Sequence, residues 1–343
     1  MEENQKNMNK KRVIFVIIAL VCVLAFVVGG IFIYKSLSRV DNKEEVQQEE
    51  KQTIQPLLYE VTKEGSKAKV YLFGSIHMAD KRAYPLPDKV MNAYHASDYL
   101  AVEYDIVASS NNVKEQLALL EKMLCAPGKS LKDYLHEDTY EMLVNYLKDN
   151  GVYSSSYEVY RPVMMYSLLF NVLGEKSKLK ADKGIDNYFL KEAKKDGKNI
   201  LEVESSTFQT DLLTSFSDEL FDLIIKCTIM EEQSQVDSLN ALYEGWLVGD
   251  TNLLAEDSDE IDFDSLDSVV DFYSEYPNLK EMLENYNKKL VYDRNESINQ
   301  VVVNYLEEEK NVFVVVGAAH VVHQTGLAKT LHDLGYTVTK VAY

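Results

Sequence analysis

The sequence predicts an α/β protein of the α+β kind, a mixed central sheet flanked by helices and preceded by one transmembrane helix. Three observations carry this. Residues 13–34 form an uncharged apolar run of 22 residues, which as a helix spans about 33 Å and matches the hydrocarbon core of a bilayer. Two short apolar runs near opposite ends of the remaining chain, Val70-Tyr71-Leu72-Phe73 and residues 312–316 (VFVVV), each lead into Gly-x-x-His. Each is followed by apolar residues at helical spacing and then by a second strand pattern, so both units read strand, GxxH, helix, strand.

Lys6, Lys10, Lys11 and Arg12 precede the apolar run, whereas only Lys35 and Arg39 follow it closely. The positive-inside bias therefore puts residues 1–12 in the cytoplasm and the rest outside, giving a single-pass plasma-membrane protein with an extracellular C-terminal domain. A cleaved signal peptide is the alternative, but the run is longer than a usual signal core and no small-x-small site follows it cleanly. Residues 35–56 are polar, without apolar period, and read as a linker; the folded domain is expected over 57–343.

In the first unit, Gly74-Ser75-Ile76-His77 follows the strand, Val90, Ala93 and Tyr94 keep one helical face, and residues 99–104 (YLAVEY) return as a strand. The middle of the chain is expected to be mostly helical. Residues 130–147 form one helix closing near Gly151, residues 161–173 form an apolar helix opened by Pro162, and Ile185, Phe189 and Ala193 mark a helix ending at Gly197. Residues 199–204 (NILEVE) alternate as a strand should, and 218–232 and 235–245 read as paired helices. The acidic stretch 250–271 lacks the ligand spacing and the glycine of a calcium loop, so it reads as a solvated acidic loop. In the second unit Gly317-Ala318-Ala319-His320 is followed by Leu327, Leu331 and Leu334 on one helix face, a Gly335 cap and a strand at 336–341.

Composition narrows the function. With 46% hydrophobic and 27% charged residues the chain is globular, and its net charge of −19 repels a phosphate backbone, so nucleic acid is excluded as a partner. Cys22, Cys125 and Cys227 show no CxxC spacing, which argues against a disulfide framework or a thiolate zinc site. Serine-hydrolase, HExxH, P-loop and GxGxxG signatures are missing.

Of six histidines, His77 and His320 each follow a strand beyond a glycine, where sheet architectures present side chains into a crevice, and two such imidazoles could converge on one metal ion. His95, His136 and His332 read as surface residues, and His323 as a loop residue, although a helical 320–323 would align it with His320. Glu103 projects from the end of the 99–104 strand opposite Leu100, Val102 and Tyr104, which suits a metal ligand or a general base. Glu204 ends its strand in the same manner, while Glu202 reads as an exposed strand-face acid. Two histidines with carboxylates suit Zn, Mn, Co or Fe, and such a site would activate water for hydrolysis. Arg294 reads either as an oxyanion or substrate-carboxylate clamp or as a salt-bridging helix residue. Asn295-Glu296-Ser297 fits the glycosylation tripeptide.

Taken in order, Leu72-Phe73-Gly74-Ser75-Ile76-His77, Ala101-Val102-Glu103, Gly184-Ile185-Asp186, Leu201-Glu202-Val203-Glu204-Ser205 with Gln209, Asp293-Arg294-Asn295 and Val316-Gly317-Ala318-Ala319-His320 resemble the TraB/GumN family over roughly residues 58–343. That family is similar to the Tiki metalloproteases and more distantly to the erythromycin-esterase-like hydrolases. The resemblance implies two GxxH motifs, with Gly74 and Gly317, on a mixed sheet and a divalent-metal-dependent peptidase-like activity, with Mn or Co as the ions of the Tiki branch. It places His77, His320, Glu103 and Glu204 as metal ligands, Glu103 and Arg294 as catalytic residues, and Asp186 and Asn295 as further family positions. Peptide or protein substrates follow. The second motif departs from the family pattern, because His323 occupies a place where members often have glycine. A non-catalytic peptide-sequestering surface protein, similar to the pheromone-shutdown members, is the alternative function.

Overall fold

The computed structural model describes residues 54–254 and 276–343. The apolar run at 13–34 and most of the acidic stretch 250–271 lie outside the described residues; no helix among the described residues is long and apolar enough to cross a membrane. Ile54, the first described residue, is buried at 4% exposure.

Six strands form one mixed sheet: β1 (Leu58–Thr62), β2 (Lys69–Ser75), β3 (Tyr99–Val102), β4 (Asn199–Glu202), β5 (Val312–Gly317) and β6 (Thr337–Lys340), in the order β4-β3-β5-β2-β1-β6. β5 runs parallel to both β2 and β3, and β3 runs parallel to β4. β1 is antiparallel to β2 and to β6, and β6 is the edge strand on that side. The β5 sequence is apolar without alternation because a central parallel strand is covered on both faces. Phe73, Leu100, Val102, Phe313 and Val315 point into one apolar core, while Val70, Leu72, Ala101, Val312, Val314 and Val316 point into another on the opposite face.

The larger core is roofed by the helices Pro162–Lys176, Ile185–Asp196, Asp218–Met230 and Glu232–Val248. Twelve of the 15 residues of Pro162–Lys176 are buried, which explains why that helix reads as apolar all round. The ring of Phe73 packs within 6.4 Å, centroid to centroid, of Phe189, Phe313 and Trp246; burying such a side chain contributes roughly 1.5–3 kcal/mol. The smaller core is covered by Asp293–Glu307 and Leu327–Asp333.

The two GxxH units, the midchain strand and the four roofing helices agree with the sequence reading. Three local expectations need correction. The helix expected at 130–147 is a 3-10 turn, Leu131–Asp133, followed by Glu137–Asp149. The break falls at His136, a surface residue as expected, whose backbone N–H and ring nitrogen Nδ1 both engage the buried Asp222. The strands expected at 99–104 and 199–204 each end two residues early, at Val102 and at Glu202. His323 is a loop residue, as expected, and a buried one: it follows the short helix Ala318–Val322 as its C-cap and is 3% exposed.

Candidate functional site

Strand register brings the two motifs together. Gly74 pairs with Val316 and Ser75 with Gly317 in the parallel β2–β5 ladder, so His77 and His320 leave the same sheet edge within one residue of the same level. β3 lies on the other side of β5, with Val102 opposite Val315, and this brings Glu103 beside Gly317. The chain then continues the β3–β4 pairing past the strand ends, with Glu204 N–H donating to the Glu103 carbonyl at 2.8 Å. These are carboxyl ends of parallel strands, the edge at which open sheets bind ligands.

His77, Glu103, Asp186, Gln209, Arg294, Asn295 and His320 are each at most 7% exposed. Glu103 Oε1 accepts the Gly317 backbone N–H at 2.9 Å. Its Oε2 accepts from Arg294 Nη2 at 2.8 Å and from Gln209 Nε2 at 3.0 Å. Arg294 also donates through Nε and Nη2 to both oxygens of Glu204, each at 2.8 Å, and Gln209 donates to Glu204 as well. One buried guanidinium therefore bridges two adjacent carboxylates, with the amide of Gln209 donating to both and one negative charge left over. Of the two readings of Arg294 the structure has the ion pair, and Glu204 is engaged by it on both oxygens.

The histidines are held from behind. His77 Nδ1 lies 3.1 Å from Asp186 Oδ2, and the other oxygen of that carboxylate accepts the Ser75 hydroxyl at 2.9 Å. Asp186 reaches His77 because Gly184 caps its helix against the motif: Ile185 N–H donates to the Ile76 carbonyl, and a Cβ on Gly184 would stand 2.2 Å from the His77 carbonyl oxygen. Only glycine fits that approach. His320 Nδ1 lies 2.6 Å from Asn295 Oδ1, and its Nε2 is buried without a hydrogen-bond partner among the described residues. The Asn295 side chain is buried in this network, 1% exposed, so the glycosylation tripeptide is not presented to a transferase. Arg294 and Asn295 begin the helix Asp293–Glu307 directly after a π-helical turn, Lys288–Tyr292, which resets the face that the helix turns to the site.

Charge follows from these contacts. Burial pushes the Glu103 carboxyl up, but the Arg294 guanidinium, with His77 and the Gly317 N–H, holds it well below the usual carboxylate range. Burial also opposes a charge on His77; the Asp186 carboxylate, its hydrogen bond and Glu103 outweigh that and raise its pKa. For His320 burial and then the Arg294 charge act in the same direction and push the pKa down to about 3, so this imidazole is neutral.

Among the described residues no group of three or more His, Cys, Asp or Glu side chains is arranged to hold a metal ion as it stands. What the geometry does supply is two imidazoles and an ionised carboxylate at one sheet edge. Glu103 Oε1 and the His320 ring carbon next to Nε2 both lie within 3.6 Å of the point that a Gly317 Cβ would take. The donor types and the unpaired His320 Nε2 fit a first-row divalent cation.

Sequence reasoning found His77, His320, Glu103 and Asp186 and missed the parts played by His323 and Thr325. Asn295 Nδ2 donates to Thr325 Oγ1 at 2.9 Å and lies 3.4 Å from His323 Nδ1. Thr325 also lines a surface depression of about 440 Å3 between the helices Asp293–Glu307 and Leu327–Asp333. The His323-x-Thr325 spacing of a local turn was the one available signal, and it does not point to a partner thirty residues upstream.

A mixed α/β sheet with paired GxxH turns, an intervening glutamate and a buried arginine clamp defines a class of proteins. A sequence model of the TraB/PrgY/gumN family matches residues 57–340, and the chain belongs to that family. The uncharacterized protein YbaP of Escherichia coli (strain K12) is 25% identical over 178 residues, and YbaP of Shigella flexneri is identical to the same extent. The match covers 52% of this chain and 63% of each relative, a little under two thirds of their length. No solved structure matches the chain.

Proposed function

We propose that the chain is a membrane-tethered hydrolase of peptides outside the cell, dependent on a divalent cation, with His77 and His320 as ligands and Glu103 as the accompanying carboxylate. The observation that carries this reading is the His320 Nε2 atom, a buried acceptor with no hydrogen-bond partner among the described residues, at the edge where an ionised Glu103 stands. Leaving such an acceptor unpaired costs roughly 1–3 kcal/mol, and a cation is a partner that removes the cost. Mn and Co are favoured by family resemblance, and Zn suits the same donors. When bound, such an ion supplies Lewis acidity toward a peptide carbonyl and lowers the pKa of water.

The chain's own groups supply the rest. Asn295 behind His320 engages Nδ1, which makes Nε2 the coordinating nitrogen of that ring, and Asp186 holds the His77 ring through its Nδ1. The charges that attract a proton to His77 attract a metal ion equally. Arg294 and Gln209 fix Glu103 Oε2, so Oε1, with its one hydrogen bond from Gly317, is the oxygen available to a cation. Its depressed pKa makes Glu103 an anionic ligand rather than a base tuned to neutral pH. Arg294 serves through the carboxylates that it clamps. The apolar run at 13–34 is the membrane anchor in this reading, and the peptide-binding domain lies beyond it.

The test is calorimetric titration of the full-length protein in detergent with Mn2+, Co2+ and Zn2+, followed by mass spectrometry of a peptide library incubated with the loaded protein. His77→Ala and His320→Ala should each weaken metal binding by at least about 100-fold and abolish cleavage. Stoichiometric binding left intact in both variants would reject the site. Peptide capture without cleavage under all three ions would instead establish a sequestering surface protein, a reading favoured by the near-complete burial of the side chains in the site.

A further inference from the structure

The hydrogen bonds behind His320 have a direction fixed by the backbone. Thr325 N–H lies 3.1 Å from His323 Nδ1, and a backbone N–H can only donate. His323 Nδ1 is therefore an acceptor carrying a lone pair. The Thr325 hydroxyl lies 2.9 Å from the same nitrogen, where it can only donate, and its oxygen accepts from Asn295 Nδ2 at 2.9 Å. Asn295 faces both atoms with one end of its amide, and only the NH2 end can meet an acceptor nitrogen and an accepting hydroxyl. Its carbonyl oxygen is turned toward His320, 2.6 Å from Nδ1. A carbonyl oxygen can only accept, so His320 carries its proton on Nδ1 and its lone pair on Nε2.

We propose that His323 and Thr325, acting through Asn295, are positioning residues that set the tautomer of His320 and so turn its one basic nitrogen toward the buried site. The relay runs from a surface depression to the candidate metal ligand without a charged group in it. Its parts are held in place: the His323 ring meets Tyr292 edge-on at 5.5 Å, and the Thr325 carbonyl accepts from Asn299 Nδ2 at 3.0 Å. A Cβ on Gly326 would lie 2.7 Å from the His320 carbonyl oxygen, so the chain closes the turn tightly behind the ring.

The tautomer follows from hydrogen bonding alone; its consequence for cation binding rests on the reading of His320 as a ligand. Full-length protein carrying 15N-labelled histidine gives signals from only six imidazoles, assigned by loss of one set in His320→Gln and another in His323→Gln. Long-range 1H–15N correlation without added metal should show His320 protonated at Nδ1 and bare at Nε2, and His323 the reverse. A proton on His320 Nε2 would overturn the relay whatever the protein binds.

His323→Leu removes the acceptor that orients the amide, and His320 should then sample both tautomers, while Mn2+ or Zn2+ affinity falls by about 10–100-fold. His323→Asn, which restores an acceptor oxygen near the position of Nδ1, should recover both readouts. Should His323→Leu fail to fold, Thr325→Val against Thr325→Ser makes the same comparison with a smaller change. A Thr325→Val protein with unchanged His320 tautomer and unchanged metal affinity would reject the positioning role. Wild-type protein with the expected tautomer but no uptake of Mn2+, Co2+ or Zn2+ would support the relay and reject the metal reading, which separates the two ideas.

Discussion

Arg294 holds two carboxylates that would otherwise repel each other in a buried place. It is 1% exposed, and its Nε and Nη2 donate to Glu103 and Glu204. Removing one member of such a group strands the others, which costs about 3–5 kcal/mol, whereas removing charge from both sides costs far less. Arg294→Met should therefore lower stability by about that amount in urea titration, and Arg294→Met with Glu204→Gln should recover part of the loss. A single-variant loss under about 1 kcal/mol would show that solvent reaches the clamp. At this scale the residues following a strand and glycine were legible: the local pattern alone told where His77 and His320 would stand. Residues whose role depends on a distant partner were not. His136 meets Asp222 86 positions later, and no feature of Leu135-His136-Glu137 announces it. His323 lies in a loop, as the sequence indicates, but its burial against Asn295 follows from the packing of the helix Asp293–Glu307 against the second motif.

Among the elements, the helix Ile185–Asp196 shows how a secondary structure can be placed for one side chain. Its N-terminus docks on the first motif through Ile185 N–H and the Ile76 carbonyl, and the absent side chain of Gly184 allows the approach. Gly184→Ala must push the helix start away from His77, carrying Asp186 with it. The expected loss is about 2–4 kcal/mol of stability, with metal affinity reduced together with it; an alanine variant that keeps both would mean that the contact relaxes without moving the helix. The sequence showed this helix through Ile185, Phe189, Ala193 and the closing Gly197, which adopts a left-handed φ of 67°. It could not show the π-helical turn at Lys288–Tyr292, since the turn satisfies tertiary needs on both sides: Leu283 and Tyr286 pack in the larger core before it, and Arg294 and Asn295 serve the site after it. Strand β3 was read two residues too long because Glu103 and Tyr104 continue the alternation after the ladder of β3 has ended.

Across the whole molecule, the site depends on strands from both ends of the described chain. β5 lies between β2 and β3 and supplies the centre of the sheet, so residues 54–254 contain the first motif but not the strand that completes its surroundings. Folding should then be a single cooperative event. Trp246, the only tryptophan, reports on it directly, because its indole N–H donates to the Gly74 carbonyl at 2.8 Å. Its fluorescence and far-UV circular dichroism should give coincident urea transitions; a fluorescence midpoint well ahead of the other would mean that the edge bearing the site opens on its own. The sheet class and its two repeated units were legible from the paired strand-GxxH patterns. The strand order was not, since strand periodicity identifies which face is buried but not which neighbour a strand takes.

The position of β5 also bears on how a ribosome must deliver this protein. β2 ends at Ser75, and β5 begins at Val312, so at about 5–20 residues per second the growing chain waits on the order of tens of seconds for its middle strand. During that interval the facing edges of β2 and β3 have no native partner to pair with, and exposed strand edges invite pairing with other chains. A nascent polypeptide of this topology depends on being kept apart from its neighbours until Val312–Gly317 has emerged.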